Sequence, residues 1–531
     1  MQISGKRQNS AGTQFGSGQL LQRWLAPLVL LFAVTILNLA TLVRSPAPFV
    51  DDAWYANRAW ALIHTGRPFG TLDAGVFDGY DGYWTFIPYF GAWILSLAIR
   101  LLGLSLYSVR VVSLIFGLTL LVALYVVGNQ VGGLRTGLLA VSLTALSPAF
   151  LYSAHIARPD IMVAALGFAA VGLHVTDRGE RLTVKSILSG LAIALAFELH
   201  PNGIIYAPTL AVLHLFDRGR RLLRTGRFWG FTAGVAVGLL IYASIHILPY
   251  PQTYLALTRS IYAPWRTPPI LSLHPAGWLR SLGDTLVLLA RANPWRAPLV
   301  VAAALSLLVK APASERRLLG LFAAVVLAFA ALVRHKLHYF AIELAPAADL
   351  VVVSFLAKLF GGSRVATQKA GPVAGLAFGL QAALILALLL AATATSLLPL
   401  FDNPMADYEA AVQRIGQAVP AESSLMGSQT YWIGFPERRY YSWENLKYYQ
   451  HSVAGSTLTD AFDALRPDYL LIDAHLECFI TDDGAEMSEY DRFLRLPKPE
   501  LEAFLDRQAH LVTAFDTRSF GTVRIYQLDW N

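Results

Sequence analysis

Long uncharged apolar segments are the feature that most constrains how this chain can fold. The runs from Trp24 to Val43 and from Gly371 to Leu400 contain no charged residue. Both reach or exceed the ~20 residues that a helix needs to cross a bilayer. Only 15% of the 531 residues are charged, against about 25% in soluble domains. The sequence therefore predicts a polytopic α-helical membrane protein.

Nine further apolar runs lie between these two, so eleven spans are predicted. They fall near 106–128, 134–152, 160–176, 187–200, 203–216, 228–249, 294–309, 317–333 and 339–357. The runs at 84–100 and 279–291 are also apolar, but helices that lie in the membrane interface can be nearly as apolar as short spans. We interpret these two as juxtamembrane helices, and twelve or thirteen spans are the alternatives.

The positions of lysine and arginine favour eleven spans and set the orientation. With that number, the basic segments 177–185, 217–227, 310–317 and 358–369 all lie on the side of the N-terminus, as the positive-inside rule requires. Residues 1–23 are then cytoplasmic, and 24–401 form the transmembrane domain with an outer loop at 44–105. The chain is expected to be a multi-pass protein of the plasma membrane.

The last 130 residues differ in composition from the rest. Residues 402–531 contain 21 Asp and Glu against 11 Lys and Arg, and helical patterns alternate there with β-like runs such as PDYLLID and TVRIYQL. The sequence predicts an extracytoplasmic α/β domain over 402–531. The membrane part is basic, which cytoplasmic loops and anionic lipids explain, so no nucleic acid partner is predicted.

One outer loop concentrates carboxylates. Only 14 acidic residues precede position 402, and five of them fall within 31 residues: Asp51, Asp52, Asp73, Asp78 and Asp81. The first pair opens an amphipathic helix, where carboxylates are favourable caps. The alternative is a carboxylate at the mouth of a membrane cavity that acts as a general base or metal ligand. The tandem Asp78 and Asp81 can bind a divalent cation or sugar hydroxyls.

Other ionisable residues lie at predicted outer boundaries of spans. Arg158 and Asp160 form either a short turn or an ion pair that lines the same cavity, and His200 either packs or faces that cavity. Arg334, Lys336, His338 and Tyr339 lie opposite to the positive-inside preference. Such cations suit a lipid phosphate, which Lys and Arg bind by charge and hydrogen bonds. Snorkelling to the headgroups is the alternative.

In this order, the motifs resemble the GT-C superfamily of membrane glycosyltransferases, in particular the protein O-mannosyltransferases and the lipid A aminoarabinose transferases. The resemblance is carried by DDAWYA after the first span, ARPD after the third, KLHYFAIELAP before a late span, and the α/β outer domain. It implies transfer of a sugar from a polyprenyl-phosphate carrier to a lipid, glycan or protein acceptor on the outer face, with inversion.

The same resemblance assigns roles by position. It implies that Asp51 is the catalytic carboxylate, that Asp52 replaces a family glutamate, that Lys336 and His338 bind the carrier phosphate, and that Asp78 lies near a family position for metal or acceptor. The full set of predicted substrate contacts is Asp52, Tyr55, Asp81, Arg158, Asp160, His200, Arg334, Lys336, His338 and Tyr339. Gly79 and Tyr80 follow Asp78 where the aminoarabinose transferases have an acidic-Lys-Pro element, which leaves lipid A as acceptor open.

Two further expectations concern cofactors and the alternative function. A divalent metal, Mg²⁺ or Mn²⁺, is an open expectation at Asp78, and no nucleotide cofactor is expected because the membrane part has no P-loop or Rossmann fingerprint. The rival interpretation is a polytopic transporter or lipid flippase. It would place its ionisable residues near the bilayer midplane on broken, repeated helices, whereas the clusters here lie at predicted outer boundaries.

Overall fold

The computed structural model describes residues 17–73, 88–177, 181–259, 274–310, 313–366, 372–482 and 494–530. Most of them are helical, and strands occur only after residue 424 within those ranges. The predicted sites at Asp78 and Asp81 lie outside the described residues.

The first half of the chain consists of helices connected by short turns. They are α1 Ser17–Thr41, α2 Val50–Thr65, α3 Tyr89–Leu102, α4 Leu106–Gly132, α5 Leu134–Ala145, α6 Pro148–Ala154, α7 Asp160–Thr176, α8 Val184–Leu199, α9 Tyr206–Arg218, α10 Gly226–Tyr242 and α11 Pro251–Leu257. Short 3-10 helices occupy Thr71–Asp73, Pro201–Ile205 and Gly219–Arg224, and a π-helical turn occupies Ala243–Ile247.

The second half completes the helical part. Its helices are α12 Pro275–Ala292, α13 Ala297–Lys310, α14 Ala313–Leu332, α15 Ala345–Ala366 and α16 Pro372–Leu397. A 3-10 helix at His338–Glu343 connects α14 to α15, and another follows at Leu398–Phe401. Both ambiguous apolar runs are helical in the described part, as α3 and α12.

Among the described residues, three helical stretches are long and apolar enough to span a membrane. They are Leu106–Gly132, Gly226–Ile247 and Gly379–Ala418. Helices α5 and α6 together make a fourth candidate that bends by 65° at residues 146–147. Five shorter apolar stretches, at Leu25–Thr41, Tyr89–Leu102, Asp160–Thr176, Ala297–Leu308 and Ala345–Ala357, accompany them. The total of eleven spans stays a prediction.

Small residues allow the closest helix contact in the described part. A Cβ on Gly190 of α8 would lie 2.1 Å from the Phe231 carbonyl oxygen, and one on Gly234 of α10 would lie 2.1 Å from that of Ile187. Such approach of two backbones is available only to glycine or another very small residue. The small residues of the segment 230–238 in α10, GFTAGVAVG, therefore serve helix packing.

The C-terminal domain is built on a five-stranded mixed sheet. Helix α17 Pro404–Ala418 leads into β1 Leu425–Gly427, β2 Tyr440–Ser442 and β3 Tyr469–Ile472, and the long hairpin β6 Ala509–Thr517 and β7 Gly521–Leu528 closes the fold. The strand order is β2-β1-β3-β7-β6. Strands β1, β2 and β3 are parallel, whereas β7 is antiparallel to β3 and β6.

Smaller elements complete this domain. They are α18 Glu444–Ser452, α19 Leu458–Leu465, α20 Ala474–Glu477, the parallel pair β4 Ile480–Thr481 and β5 Leu496–Pro497, and α21 Lys498–Gln508. A 3-10 helix at Gln429–Gly434 packs against α2. The buried apolar core is continuous from the membrane helices into this domain, where Tyr431 and Trp432 are fully enclosed. The described part of the acidic loop, α2 and the turn at Thr71–Asp73, thus packs against this domain.

Candidate active site

Asp51 and Asp52 lie side by side in the first turn of α2 but point into different surroundings. The Asp52 carboxylate accepts the Phe49 backbone N–H at 2.9 Å and so caps the helix that it begins. Its side chain is fully buried, whereas that of Asp51 is 16% exposed. Successive residues of a helix are rotated by about 100°, which separates the two carboxylates.

Asp52 is saturated by fixed partners. Arg110 of α4 contacts both of its oxygens, with Nη2 at 2.7 Å and Nε at 3.3 Å, and the Ala157 N–H donates to it at 2.6 Å. The predicted substrate contact at Asp52 therefore needs correction: the carboxylate faces the protein interior, and it holds α2, α4 and the segment before α7 together.

Arg110 is a functional neighbour that sequence reasoning missed. Its guanidinium is fully buried and also donates to the carbonyl oxygens of Leu42 and Pro46, each at 3.1 Å, and of Ala47 at 3.3 Å. The signal was present, because an arginine within an apolar run is costly unless it is paired. Arg110 was overlooked because it lies within the predicted span 106–128, and the sequence alone does not identify Asp52 as its partner.

Asp51 belongs to a second ion-pair group that comes from three distant segments. Arg158 contacts the Asp51 carboxylate through Nη1 and donates from Nε to Asp160 Oδ2 at 2.7 Å. The guanidinium carbon lies 3.5 Å from the centre of the Tyr339 ring. The structure thus brings together Asp51, Arg158, Asp160 and Tyr339, all of them predicted site residues.

Two buried carboxylates extend this group into the protein. Asp160 Oδ1 and Glu343 Oε2 are enclosed and have no hydrogen-bond partner, while Glu343 Oε1 accepts from Asn202 Nδ2 at 3.2 Å. The Tyr206 hydroxyl donates to the Glu343 carbonyl oxygen at 3.1 Å. Glu343 and Asn202 are further residues that sequence reasoning missed. A carboxylate in the segment FAIEL at a predicted span boundary was the available signal.

His338 lies beside the ion-pair group, next to Tyr339. The His338 ring is between Tyr152 and Tyr339, with centroids 5.1 and 5.0 Å away, and it is solvent-exposed at one edge. Partial burial, with the nearby Arg158 charge, lowers the pKa of His338. The Arg334 side chain is exposed. An imidazole group therefore lies beside the Asp51 and Arg158 pair, and Arg334 precedes it in the same segment of the chain.

Lys336 takes a different direction. Its ammonium group donates to the Val333 carbonyl oxygen and to that of Phe329 at 3.2 Å, and it lies 4.9 Å from the Phe329 ring centre. Burial lowers the pKa of Lys336 to about 8, and Asp284 opposes that shift. Lys336 thus contacts the C-terminal carbonyls of α14. Tyr339 is three positions further along the chain, which limits the distance between the two Cα atoms to about 10 Å.

Three other predicted residues have less direct connections. His200 ends α8, accepts the Asn202 N–H at 3.2 Å on Nδ1 and lies 5.4 Å from the Phe340 ring centre. It therefore borders the same turn as Glu343. The Tyr55 ring faces the Arg58 guanidinium at 5.8 Å on α2. Tyr55 shares the helix of Asp51 and lies one turn after it.

Asp73, the third aspartate of the acidic loop, folds that loop onto α2. It accepts from Trp54 Nε1 at 2.7 Å and from Arg58 Nε at 3.3 Å, and it is 1% exposed. A Cβ on nearby Gly70 would lie 1.7 Å from Asn57 Oδ1, so glycine is required for this approach. The three loop carboxylates that the structure describes therefore divide into structural ones, Asp52 and Asp73, and the accessible Asp51.

A second buried ion pair braces the bend between α5 and α6. Arg296 Nη1 contacts Asp349 Oδ1 at 2.9 Å, and Nη2 donates to the Leu143 carbonyl oxygen at 2.5 Å. The Thr144 hydroxyl donates to the other Asp349 oxygen at 2.8 Å. This pair was also missed, for the same reason as Arg110. It positions α6, which carries Tyr152 toward His338.

The metal expectation has a limited basis here. Within the described ranges, no group of three or more His, Cys, Asp and Glu side chains is arranged to hold a metal ion. Asp51 and Asp160 both face Arg158, whose positive charge occupies the position between them. The described residues therefore do not fit a metal centre by themselves, and Asp78 lies outside them.

Comparison with solved structures shows what this fold resembles. The structure of ArnT from Cupriavidus metallidurans bound to undecaprenyl phosphate matches with a TM-score of 0.58 at 14% identity, over 96% of this chain and 98% of that one. The oligosaccharyltransferase of Archaeoglobus fulgidus tethered to an acceptor peptide matches with a TM-score of 0.53 at 13% identity, over 95% and 74%. The same archaeal enzyme with an inhibitory peptide and dolichol-phosphate gives 0.50 at 14% identity, over 94% and 74%.

Sequence comparison agrees over part of the chain. Residues 87–247 match the family described as dolichyl-phosphate-mannose-protein mannosyltransferase. No curated protein matches the chain at a significant level. The predicted fold class, a multi-pass helical membrane domain with a C-terminal α/β domain, is confirmed.

Proposed function

We propose that this chain, whose fold is that of the GT-C membrane glycosyltransferases, transfers a sugar from a polyprenyl-phosphate carrier to an acceptor on the outer face of the membrane. The observation that carries the proposal is the meeting of Asp51, Arg158 and Tyr339 from three distant segments at a partly exposed position. One relative of this fold was solved with undecaprenyl phosphate and another with dolichol-phosphate, which supports a lipid-phosphate ligand.

Asp51 is the proposed general base. Its side chain is reachable from solvent, and Arg158 stabilises its negative charge. The carboxylate takes the proton of an acceptor hydroxyl as that oxygen attacks the anomeric carbon. The bond between the anomeric carbon and the carrier phosphate oxygen breaks on the opposite side. The new bond to the acceptor oxygen forms on the face opposite to the breaking bond to the phosphate oxygen. A single displacement of this kind inverts the configuration at the anomeric carbon.

Cations near Asp51 are the proposed contacts of the leaving phosphate. Arg158 lies between Asp51 and Asp160, and His338, Lys336 and Arg334 belong to the segment that ends at Tyr339. Charge that develops on the departing phosphate is stabilised most by donors already in place. Lys336 takes part when it turns away from the carbonyls at the end of α14. His200 and Asp160 border this phosphate side.

The acceptor side and the membrane orientation complete the proposal. The acceptor is a lipid, a glycan or a protein, and Tyr55 on α2 and the outer domain above it face that side. Asp78 and Asp81 are proposed acceptor or metal contacts, with Mg²⁺ or Mn²⁺ as the metal. Residues 1–23 are assigned to the cytoplasm, 24–401 to the transmembrane domain and 402–531 to the outer side of the plasma membrane. The basic segments support this orientation.

A transfer assay tests the proposal. The purified chain, reconstituted in lipid nanodiscs, is given a panel of polyprenyl-phosphate sugars with lipid, glycan and peptide acceptors. We expect release of the polyprenyl phosphate and an inverted anomeric configuration in the product. Asp506→Asn, an exposed carboxylate of the outer domain, is the matched control for Asp51→Asn. Retention of configuration, or transfer that survives Asp51→Asn, would refute the proposed base.

A further inference from the structure

A second polar site lies at the other end of the membrane helices. Helix α4 runs from Arg110, beside Asp52, to Gln130, which lines a cavity of about 380 Å³. Twenty residues of helix at 1.5 Å each separate the two ends by about 30 Å. The volume falls in the range of small-molecule pockets. This cavity is therefore separate from the candidate active site.

The cavity has an apolar wall and a polar rim. Its wall is formed where α4, α7, α9 and α14 end or begin, and it includes Val127, Val131, Val171, Leu213 and Leu318. The rim contains Gln130, His174, Asp177, Asp217, Arg227 and Arg317. A cavity lined by both apolar and charged side chains matches an amphiphile better than a soluble ion.

A fixed network forms one part of the rim. Arg227 is 5% exposed and lies between Asp177, at 3.7 Å, and Asp217, at 3.5 Å, and it also donates to the His174 carbonyl oxygen. His174 Nε2 lies 3.2 Å from the same Asp217. This network joins α7, α9 and α10. Arg227 offsets the charge of one of the two carboxylates, and this buried network forms part of the lining of the site.

Arg317 forms the other part of the rim and is held loosely. Its side chain is 55% exposed, and its contact with Asp217 is a single one at 3.3 Å. A solvent-exposed pair of this kind contributes only about 0–1 kcal/mol. The guanidinium can therefore exchange this carboxylate for another anion, and the planar group binds phosphate oxygens in a bidentate manner.

The charge of this face favours an anion. The segments 177–185, 217–227 and 310–317, whose ends border the cavity, contain eleven Lys and Arg against four Asp and Glu. Basic pockets between membrane helices bind the headgroups of anionic lipids. We propose that this cavity binds an anionic glycerophospholipid of the leaflet opposite to the candidate active site. Arg317 contacts the phosphate, and the apolar wall accommodates the first part of an acyl chain.

A reconstitution experiment tests this proposal without any transferase assay. The full chain is placed in phosphatidylcholine nanodiscs with increasing phosphatidylglycerol, and the thermal midpoint and the lipids retained in native mass spectrometry are measured. We expect phosphatidylglycerol to raise the midpoint and to be retained. Arg317→Gln should weaken the apparent affinity about tenfold, as loss of a charge-assisted hydrogen bond does. Arg316→Gln, which removes the neighbouring exposed charge, should retain it.

Three results would overturn the assignment. Equal loss in both arginine variants would indicate general surface charge. Equal stabilisation by free glycerol phosphate would indicate a soluble anion, and no preference for phosphatidylglycerol in the unaltered chain would indicate no lipid site. Val131→Phe places a larger side chain in the apolar part of the cavity without changing its charge. It tests the proposal independently if Arg317→Gln does not fold. It should reduce lipid retention, and unchanged retention would contradict the chain-binding role of the wall.

Discussion

Two arginine and aspartate pairs that involve the first turn of α2 have the same chemistry and opposite surroundings. Arg110 and Asp52 are fully enclosed. In the part of the chain that the structure describes, they form hydrogen bonds with each other and with backbone groups. Arg158 is buried, but its partner Asp51 is 16% exposed, and the Arg158 guanidinium rests against the Tyr339 ring. The first pair connects three segments of the fold, whereas the second faces a position that a substrate can reach. Exposure and partners therefore separate structure from chemistry where residue type does not.

The largest effect is expected at Asp51. Asp51→Asn removes the proposed base but keeps the shape of the side chain, and loss of general-base catalysis costs about 10²–10⁴ in rate. We expect the rate of sugar transfer to fall by this factor with an unchanged thermal midpoint. Rates from single-turnover transfer assays and unfolding by intrinsic fluorescence measure the two quantities. A loss of rate matched by a lower midpoint would place Asp51 with the structural pair.

The adjacent residue should behave in the opposite way. Asp52→Ala leaves the Arg110 charge buried and unpaired, and breaking such a pair costs about 3–5 kcal/mol. We expect a large fall in the thermal midpoint in detergent and poor recovery of folded protein. Asp506→Asn, on the exposed face of α21, is the control. A stable Asp52→Ala variant would show that the enclosed pair does not hold the segments together.

Some of this contrast could be read from the sequence and some could not. The acidic pair and Arg158 were predicted site residues because a charge at a span boundary costs free energy unless it has a function or a partner. Tyr339 was predicted because it belongs to the cationic segment at such a boundary. The roles of Asp51 and Asp52 were not separable, since adjacent helical residues point about 100° apart and only the fold decides which direction is inward. Arg110, Arg296 and Glu343 were missed because their partners lie far away in the chain. The fold class depended on the length of uncharged apolar runs and on the helical and β-like patterns after residue 402, which are local features, and this is why it was predictable.

Arg158 tests whether geometry or charge alone matters in the accessible pair. Arg158→Lys keeps a positive charge but loses the planar group that contacts Asp51, Asp160 and the Tyr339 ring together. Arginine and lysine are not equivalent at such a position. We expect the rate of transfer to fall about tenfold to a hundredfold. The donor KM should rise, and the thermal midpoint should change little. Full activity in Arg158→Lys would mean that a point charge is sufficient there.

The smallest expected effect concerns Lys336 and depends on pH. Burial lowers the pKa of Lys336 to about 8, so the fraction of charged lysine falls as pH rises through that value. If the charged form contacts the carrier phosphate, the donor KM should rise severalfold between pH 7 and about pH 9. The free energy of unfolding should rise between pH 8 and about 10, because the unfolded chain then binds more protons than the folded one and deprotonation favours folding. Lys336→Ala should raise the KM at pH 7 and remove its pH dependence, whereas Lys336→Arg should keep a low KM at high pH.

A pH profile that is the same in Lys336→Ala and in the unaltered chain would assign the titration to another group, and Lys336 to snorkelling at the end of α14.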